Sequence, residues 1–160
     1  MAVATPMIPG TCLVKADCPD TPSPTLQFRY HSIVGSIGYL VQMTRCDMAV
    51  AYGQLSLFLH NPGPVHMTAA ERALAYVRGT HNKGLSRSYC DPGAEDRNVL
   101  TGWVDIDFAA DSNTRHSVTG YVMTLKGAPI SWQSCCQEGV TLSSCEAEYV
   151  AASAVAQENA

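Results

Sequence analysis

Long apolar runs are missing from this chain of 160 residues. No stretch approaches the roughly 18 uninterrupted apolar residues that a membrane-spanning helix needs, and Met1 to Gly10 lacks a basic region followed by a hydrophobic core. The chain therefore reads as intracellular, with no membrane partner. A basic excess is missing too. Ten Lys and Arg stand against fourteen Asp and Glu, a formal charge of −4 at pH 7, whereas self-sufficient nucleic-acid binders carry a basic stripe. These residues alone should hold nucleic acid weakly. No C-x-x-C pair occurs among the seven cysteines, Cys12, Cys18, Cys46, Cys90, Cys135, Cys136 and Cys145. An odd, scattered set favours free thiols in a reducing compartment over a disulfide framework or a zinc ribbon. His60 and His66 with Cys90 or Cys135-Cys136 lack finger-like spacing, so zinc is not expected.

What is present is enough apolar content, 46%, to fold. Residues up to about Thr25, rich in Pro, Thr and Cys without periodicity, read as an extended arm. From Phe28 to Met43, Ile33, Ile37, Leu40 and Val41 recur at helical spacing after Tyr30, and Gly35 and Gly38 would permit close helix contact. Asp47 is placed to cap a second helix with a stripe of Met48, Ala51, Tyr52, Leu55, Phe58 and Leu59. Pro64 suits the first turn of a third helix, with Met67, Ala70, Leu74 and Val77 on one side and Gly79 as its stop.

The grammar changes after Leu85. Tyr89 to Asn98 contains Asp-Pro-Gly and four charged residues, which is linker composition. Beyond it, Leu100 to Val104 and Val118 to Leu125 read as strands, Lys126-Gly127 as a turn, and Ile130 to Gln133 as a third strand. Ser143, three residues before Glu146, forms a capping box that opens a last helix. The expected class is α+β: an arm over 1–27, a helical segment over 28–88, and over 99–160 a three-stranded meander followed by a helix.

Cleaving a phosphodiester with two magnesium ions requires carboxylates that converge from separate elements, because magnesium takes hard oxygen ligands. Asp105, at the end of the first strand, and Glu148, one turn into the last helix, are such a pair by element. Read alone, a strand-end acid and a solvated helix acid are the default account of the pair, and spacing does not overturn it.

Ordered matches along the chain decide between these readings. Thr5-Pro6-Met7, Arg29 to Ser36, Tyr39-Leu40, Asn61 to His66 and Tyr76 to Thr80 resemble the segment that joins reverse transcriptase to ribonuclease H in copia-type retrotransposon Pol polyproteins. Asp105-Ile106-Asp107, Ser117 to Val122, Pro129 to Trp132 and Leu142 to Tyr149 are similar to that family's ribonuclease H in order and spacing. The resemblance implies an incomplete ribonuclease H-like fold. It makes Asp105 the first metal-binding aspartate, Glu148 the helix glutamate and Glu146 a capping acid, with Asp107 and Asp111 as neighbouring candidates for metal. It also implies magnesium as cofactor, an RNA–DNA hybrid as substrate, and the rest of the Pol polyprotein as partner.

The pattern also breaks. The family's later aspartate-asparagine strand and C-terminal acidic helix lie beyond Ala160, and no Tyr-x-Asp-Asp of a polymerase palm occurs. Cys46, Met67, Phe108 and Cys135-Cys136 stand where the family has proline, tryptophan, tryptophan and two lysines. No meaningful nuclease turnover is expected, and an unpaired first-strand edge should favour aggregation. The rival reading is a noncatalytic interaction module, with Arg72, Arg78, Lys83 and Arg87 either as a nucleic-acid track or as a solvated face. A third is one exon of a longer open reading frame.

Overall fold

A computed structural model describes residues 3–85, 99–108 and 115–158. Two compact units result, Met1–Gly84 and Leu85–Ala160. The linker composition at 89–98, with Cys90, Arg87 and Asp111, lies outside the described residues.

In the first unit α1 spans Pro24–Met43, α2 Ala49–Ser56 and α3 Pro64–Gly79. Pro24 and Pro64 each sit in a first turn, where a missing N–H costs nothing. Tyr30, Val34, Ile37 and Val41 of α1 pack on Met48, Leu55, Phe58, Met67, Ala70, Ala73 and Tyr76 in one core. Tyr30 is fully buried and donates its hydroxyl to the Leu55 carbonyl at 2.8 Å, and burial pushes its pKa upward. Of the two α1 glycines, Gly38 permits close contact: a Cβ there would lie 2.7 Å from the Tyr52 ring. Gly35 has nothing described within 4 Å.

Three local expectations are corrected. The extended arm does not run to residue 27: α1 begins at Pro24, and before it Leu13 is buried in the helical core with Met7 and Cys18 packed against it. A short 3-10 turn at Lys15–Asp17 follows, and a Cβ on Gly63 would collide with the Asp17 carbonyl. Apolar content without periodicity had hidden this docking. Asp47 caps no helix, because Arg45 and Tyr76 take its carboxylate, and α2 begins after Met48 without a side-chain cap. The stripe from Met48 to Leu59 is thus split, with Met48 in a 3-10 turn and α2 ending at Ser56.

The second unit holds β1 Leu100–Asp107, β2 Val118–Leu125, β3 Ala128–Cys136 and α4 Ser144–Glu158. The strands form an antiparallel meander in the order β1-β2-β3. Lys126 (φ 54°) and Gly127 (φ 77°) make a two-residue hairpin turn, where positive φ at both positions matches strand twist. Pairing slips between Met123 and Thr124, which face Ser131 and Pro129, so Ile130 is the extra residue of a bulge. Pro129 is tolerated because β3 is an outer strand of this sheet. β3 is longer than the expected Ile130–Gln133 because β2 continues to pair with it through Cys136. β1 likewise runs on to Asp107, so Asp105 lies inside the strand, paired with Gly120. Thr119, Tyr121 and Met123 are buried on one face, beneath the Ala147, Ala151 and Val155 line of α4.

Candidate active site at one end of the sheet

Three contacts fix α4 against the sheet. Gln137 donates Nε2 both to Thr119 Oγ1 (2.9 Å) and to the Ala147 carbonyl (3.0 Å). A Cβ on Gly102 would lie 2.7 Å from Val155 Cγ1. Ser131 donates to Glu158 Oε1 at 2.9 Å. Thr119 pairs with Ile106, so Ala147 lies level with Ile106 while Val155 lies level with Gly102. The helix therefore runs antiparallel to β1. From Val155 back to Glu148 is a rise of about 10 Å, and from Gly102 to Asp105 an advance of about 10 Å. Glu148 thus comes level with Asp105, at the same end of the sheet.

The two carboxylates differ in direction. Strand neighbours alternate between faces, and cross-strand partners share one. Gly102, Val104 and Ile106, opposite Met123, Tyr121 and Thr119, take the helix side; Trp103, Asp105 and Asp107, opposite Val122, Gly120 and Val118, take the other. Glu148 is turned about 100° from the buried Ala147. A ligand shared by Asp105 and Glu148 would have to reach round the end of β1. Both acids and Asp107 are exposed. Asp105 Oδ1 accepts the Ile106 N–H at 2.9 Å, and Glu148 starts one turn inside α4.

Glu146 is occupied otherwise. Its N–H donates to Ser143 Oγ at 3.1 Å, while its Oε2 accepts the Leu142 N–H at 2.8 Å. The capping box therefore closes on the residue before the cap, and Glu146 is the capping acid. Sequence reasoning missed Gln137, which is 6% exposed and ties strand to helix. Its only signal was a polar residue directly after a strand.

Among the described residues no three His, Cys, Asp or Glu side chains gather in a way that could hold a metal ion. Asp105 and Glu148 taken alone supply too few oxygens for a two-ion magnesium site, which needs several converging ligands. Among the described residues no cysteine is joined in a disulfide. No helix among the described residues is long and apolar enough to cross a membrane.

The chain is 41% identical over 159 residues to the retrovirus-related Pol polyprotein from transposon TNT 1-94 of Nicotiana tabacum, covering 98% of this chain and 12% of that protein. It is 39% identical over 147 residues to the Pol polyprotein from transposon RE1 of Arabidopsis thaliana, covering 92% of this chain and 9% of the relative. The chain belongs to the retrovirus-related Pol polyproteins of transposons. It spans only a small part of these Pol relatives. A different relative is close to it in length: a secreted RxLR effector protein 161 of Plasmopara viticola, 41% identical over 129 residues, with 81% of this chain and 87% of that protein covered. No family model and no solved structure matches the chain.

The basic residues of this Pol segment do not form one track on α3. Arg72 and Arg78 are six residues apart, which separates them by about 120° around a helix. Arg72 is half-buried, donating to Thr5 Oγ1 at 3.2 Å. Arg78 and Lys83 are exposed, and Arg87 lies outside the described residues.

Proposed function

We propose that this chain is a segment of a copia-type Pol polyprotein in which helices from the end of reverse transcriptase, over 28–88, lead into the first strands and helix of a ribonuclease H domain, over 99–160. In this reading Asp105 and Glu148, with Asp107 beside them, are acids of a magnesium-dependent site that degrades the RNA strand of an RNA–DNA hybrid in the whole polyprotein. The observation that carries it is the arrival of Asp105 from β1 and Glu148 from α4 at one end of the sheet. These residues taken alone supply too few oxygen ligands for two ions, so this stretch by itself does not hydrolyse the hybrid. Its partners are then the remainder of the polyprotein and, weakly, nucleic acid. Purified chain with magnesium and a labelled RNA–DNA hybrid tests this: no cleavage above the protein-free control is expected. Cleavage that disappears in Asp105→Asn would overturn the inactivity while supporting the lineage.

A second reading is supported by the effector relative, of which the chain covers 87%. A stretch of this kind exists there as a protein of about its own length, which suits a noncatalytic interaction module derived from a retroelement. Binding of an RNA–DNA hybrid that weakens with salt and is abolished by charge reversal at Arg72, Arg78, Lys83 and Arg87 would make nucleic acid the partner.

A further inference from the structure

We propose that the face of the sheet turned away from α4 binds a guanidinium-bearing peptide segment, seated over Gly120 between Trp103 and Asp105. This deepens the second reading above by naming the partner's chemistry. Strand register builds the site. Trp103, Val122 and Trp132 form one cross-strand row, and Asp105, Gly120 and Ser134 form the next. Gly120 has no side chain, and nothing described lies within 4 Å of where a Cβ would stand. The second row is therefore a slot with an aromatic wall and a carboxylate at its β1 end. Trp103 is 67% exposed. Residues two apart on a strand are separated by about 7 Å, so one long side chain spans Trp103 and Asp105.

Charge selects the occupant. The charged residues that register places on this face, among those described, are Asp105 and Asp107, both acidic. A phosphate backbone is repelled here, and a purely apolar partner would strip two carboxylates of water without compensation. A cation satisfies both conditions. Asp105 Oδ1 takes the Ile106 N–H, which orients the carboxylate and leaves Oδ2 and the second lone pair of Oδ1 to face a ligand. A planar guanidinium both stacks flat on an indole and forks onto a carboxylate, whereas an ammonium meets each only as a hydrated point charge. The class of ligand is thus an arginine-bearing segment rather than a lysine-bearing one.

The two tryptophans of the chain, Trp103 and Trp132, both lie on this face, so their fluorescence reports on it. The full chain, in buffer containing EDTA to exclude metal, is titrated with an oligoarginine peptide. A saturable fluorescence change is expected, weakening with salt. An oligolysine peptide of equal length should bind about tenfold more weakly, and so should oligoarginine to Asp105→Asn and Gly120→Val, a loss of about 1.4 kcal/mol. Circular dichroism confirms that each variant is folded, and Asp107→Asn serves if Gly120→Val is not. Absence of a saturable change, equal affinity for oligolysine, or unaltered binding in the folded variants would overturn the proposal. The interaction-module reading on which this rests has its own test in hybrid binding at Arg72, Arg78, Lys83 and Arg87, which uses none of Trp103, Asp105 or Gly120, so failure of this titration and failure of that reading are told apart.

Discussion

Arg45 grips Asp47 with two parallel bonds, Nε to Oδ1 and Nη2 to Oδ2, each 2.9 Å long. The same guanidinium donates to the Thr80 carbonyl at 3.2 Å and hydroxyl at 2.7 Å, and lies 5.5 Å from the centre of the Tyr76 ring. Tyr76 in turn donates its hydroxyl to Asp47 Oδ2 at 2.8 Å. A 5% exposed arginine is thereby satisfied at the point where the turn after α1 meets the end of α3. The ion pair with Arg45 is the main reason that Asp47 stays below the usual carboxylate range.

Removing the anion should leave a buried cation without its partner. Breaking a fully buried pair costs about 3–5 kcal/mol, but the Asp47 side chain is 39% exposed, so water supplies part of the loss. Asp47→Asn is expected to destabilise the first unit by about 2 kcal/mol. Arg45→Lys, which keeps the charge but loses the fork, should cost about 1–2 kcal/mol. Urea unfolding followed by helical circular dichroism measures both, and unchanged midpoints would refute the structural role given to the pair.

Acid sensitivity should come first from His66. This fully buried ring stacks on Phe58 with centroids 4.0 Å apart, and its Nδ1 accepts the Gly63 N–H at 2.9 Å. Burial lowers its pKa, with Asp17 and the Val14 backbone opposing. A histidine depressed in the fold contributes stability that is whole above the unfolded value near 6.5 and is lost as pH falls below it. Asp47, also depressed, contributes only to a later loss, below about pH 4. Stability of the first unit should therefore fall by at most about 1.4 kcal/mol per pH unit below pH 6.5. Glutamine at this position keeps an acceptor for the Gly63 N–H without titrating. His66→Gln should be less stable at pH 7 yet flat between pH 6.5 and 5; a slope that persists in the variant would rule His66 out as the source.

Gly102 tests the packing that sets the candidate site. With Val155 Cγ1 2.7 Å from where its Cβ would stand, Gly102→Ala forces a shift of α4 or of that valine. Overpacking of this kind costs about 1–3 kcal/mol. In a Val155→Ala background the same alanine should cost less than about 0.5 kcal/mol, because the obstructing methyl is gone. Tryptophan fluorescence follows the second unit, since both tryptophans belong to it. Equal costs in the two backgrounds would mean that α4 does not sit where Gly102 and Val155 touch.

The order of elements was legible because local signals carry it. Pro64 opens a helix, Lys126-Gly127 turns a hairpin, and Ser143 with Glu146 starts α4. Burial partners were less so. Asp47 has the right chemistry for an N-cap, yet a neighbouring buried arginine competes for the same oxygens and wins. Leu13 lies in a segment without periodicity, and only the three-dimensional core shows that it is an anchor. For the candidate site, motif order brought Asp105 and Glu148 together, and strand register then showed that they share an end of the sheet but not a face. Alternation could have told this from the sequence once Tyr121 and Met123 were assigned to the core. Gln137 could not be found, because its role depends on two acceptors from separate elements.

Gln137 therefore gives the sharpest test of how β2 and α4 are joined. Its Nε2 serves both Thr119 Oγ1 and the Ala147 carbonyl, and Thr119 is only 3% exposed. Gln137→Met keeps the length of the side chain but strands the buried threonine hydroxyl, an arrangement that costs about 1–3 kcal/mol. Replacing both partners by apolar groups of similar shape is much milder than replacing one. The double variant Gln137→Met with Thr119→Val should therefore unfold at higher urea than Gln137→Met alone, although it carries one more substitution. If the second change instead adds to the damage, the amide is not the tie between strand and helix, and the level of Glu148 relative to Asp105 loses one of its supports.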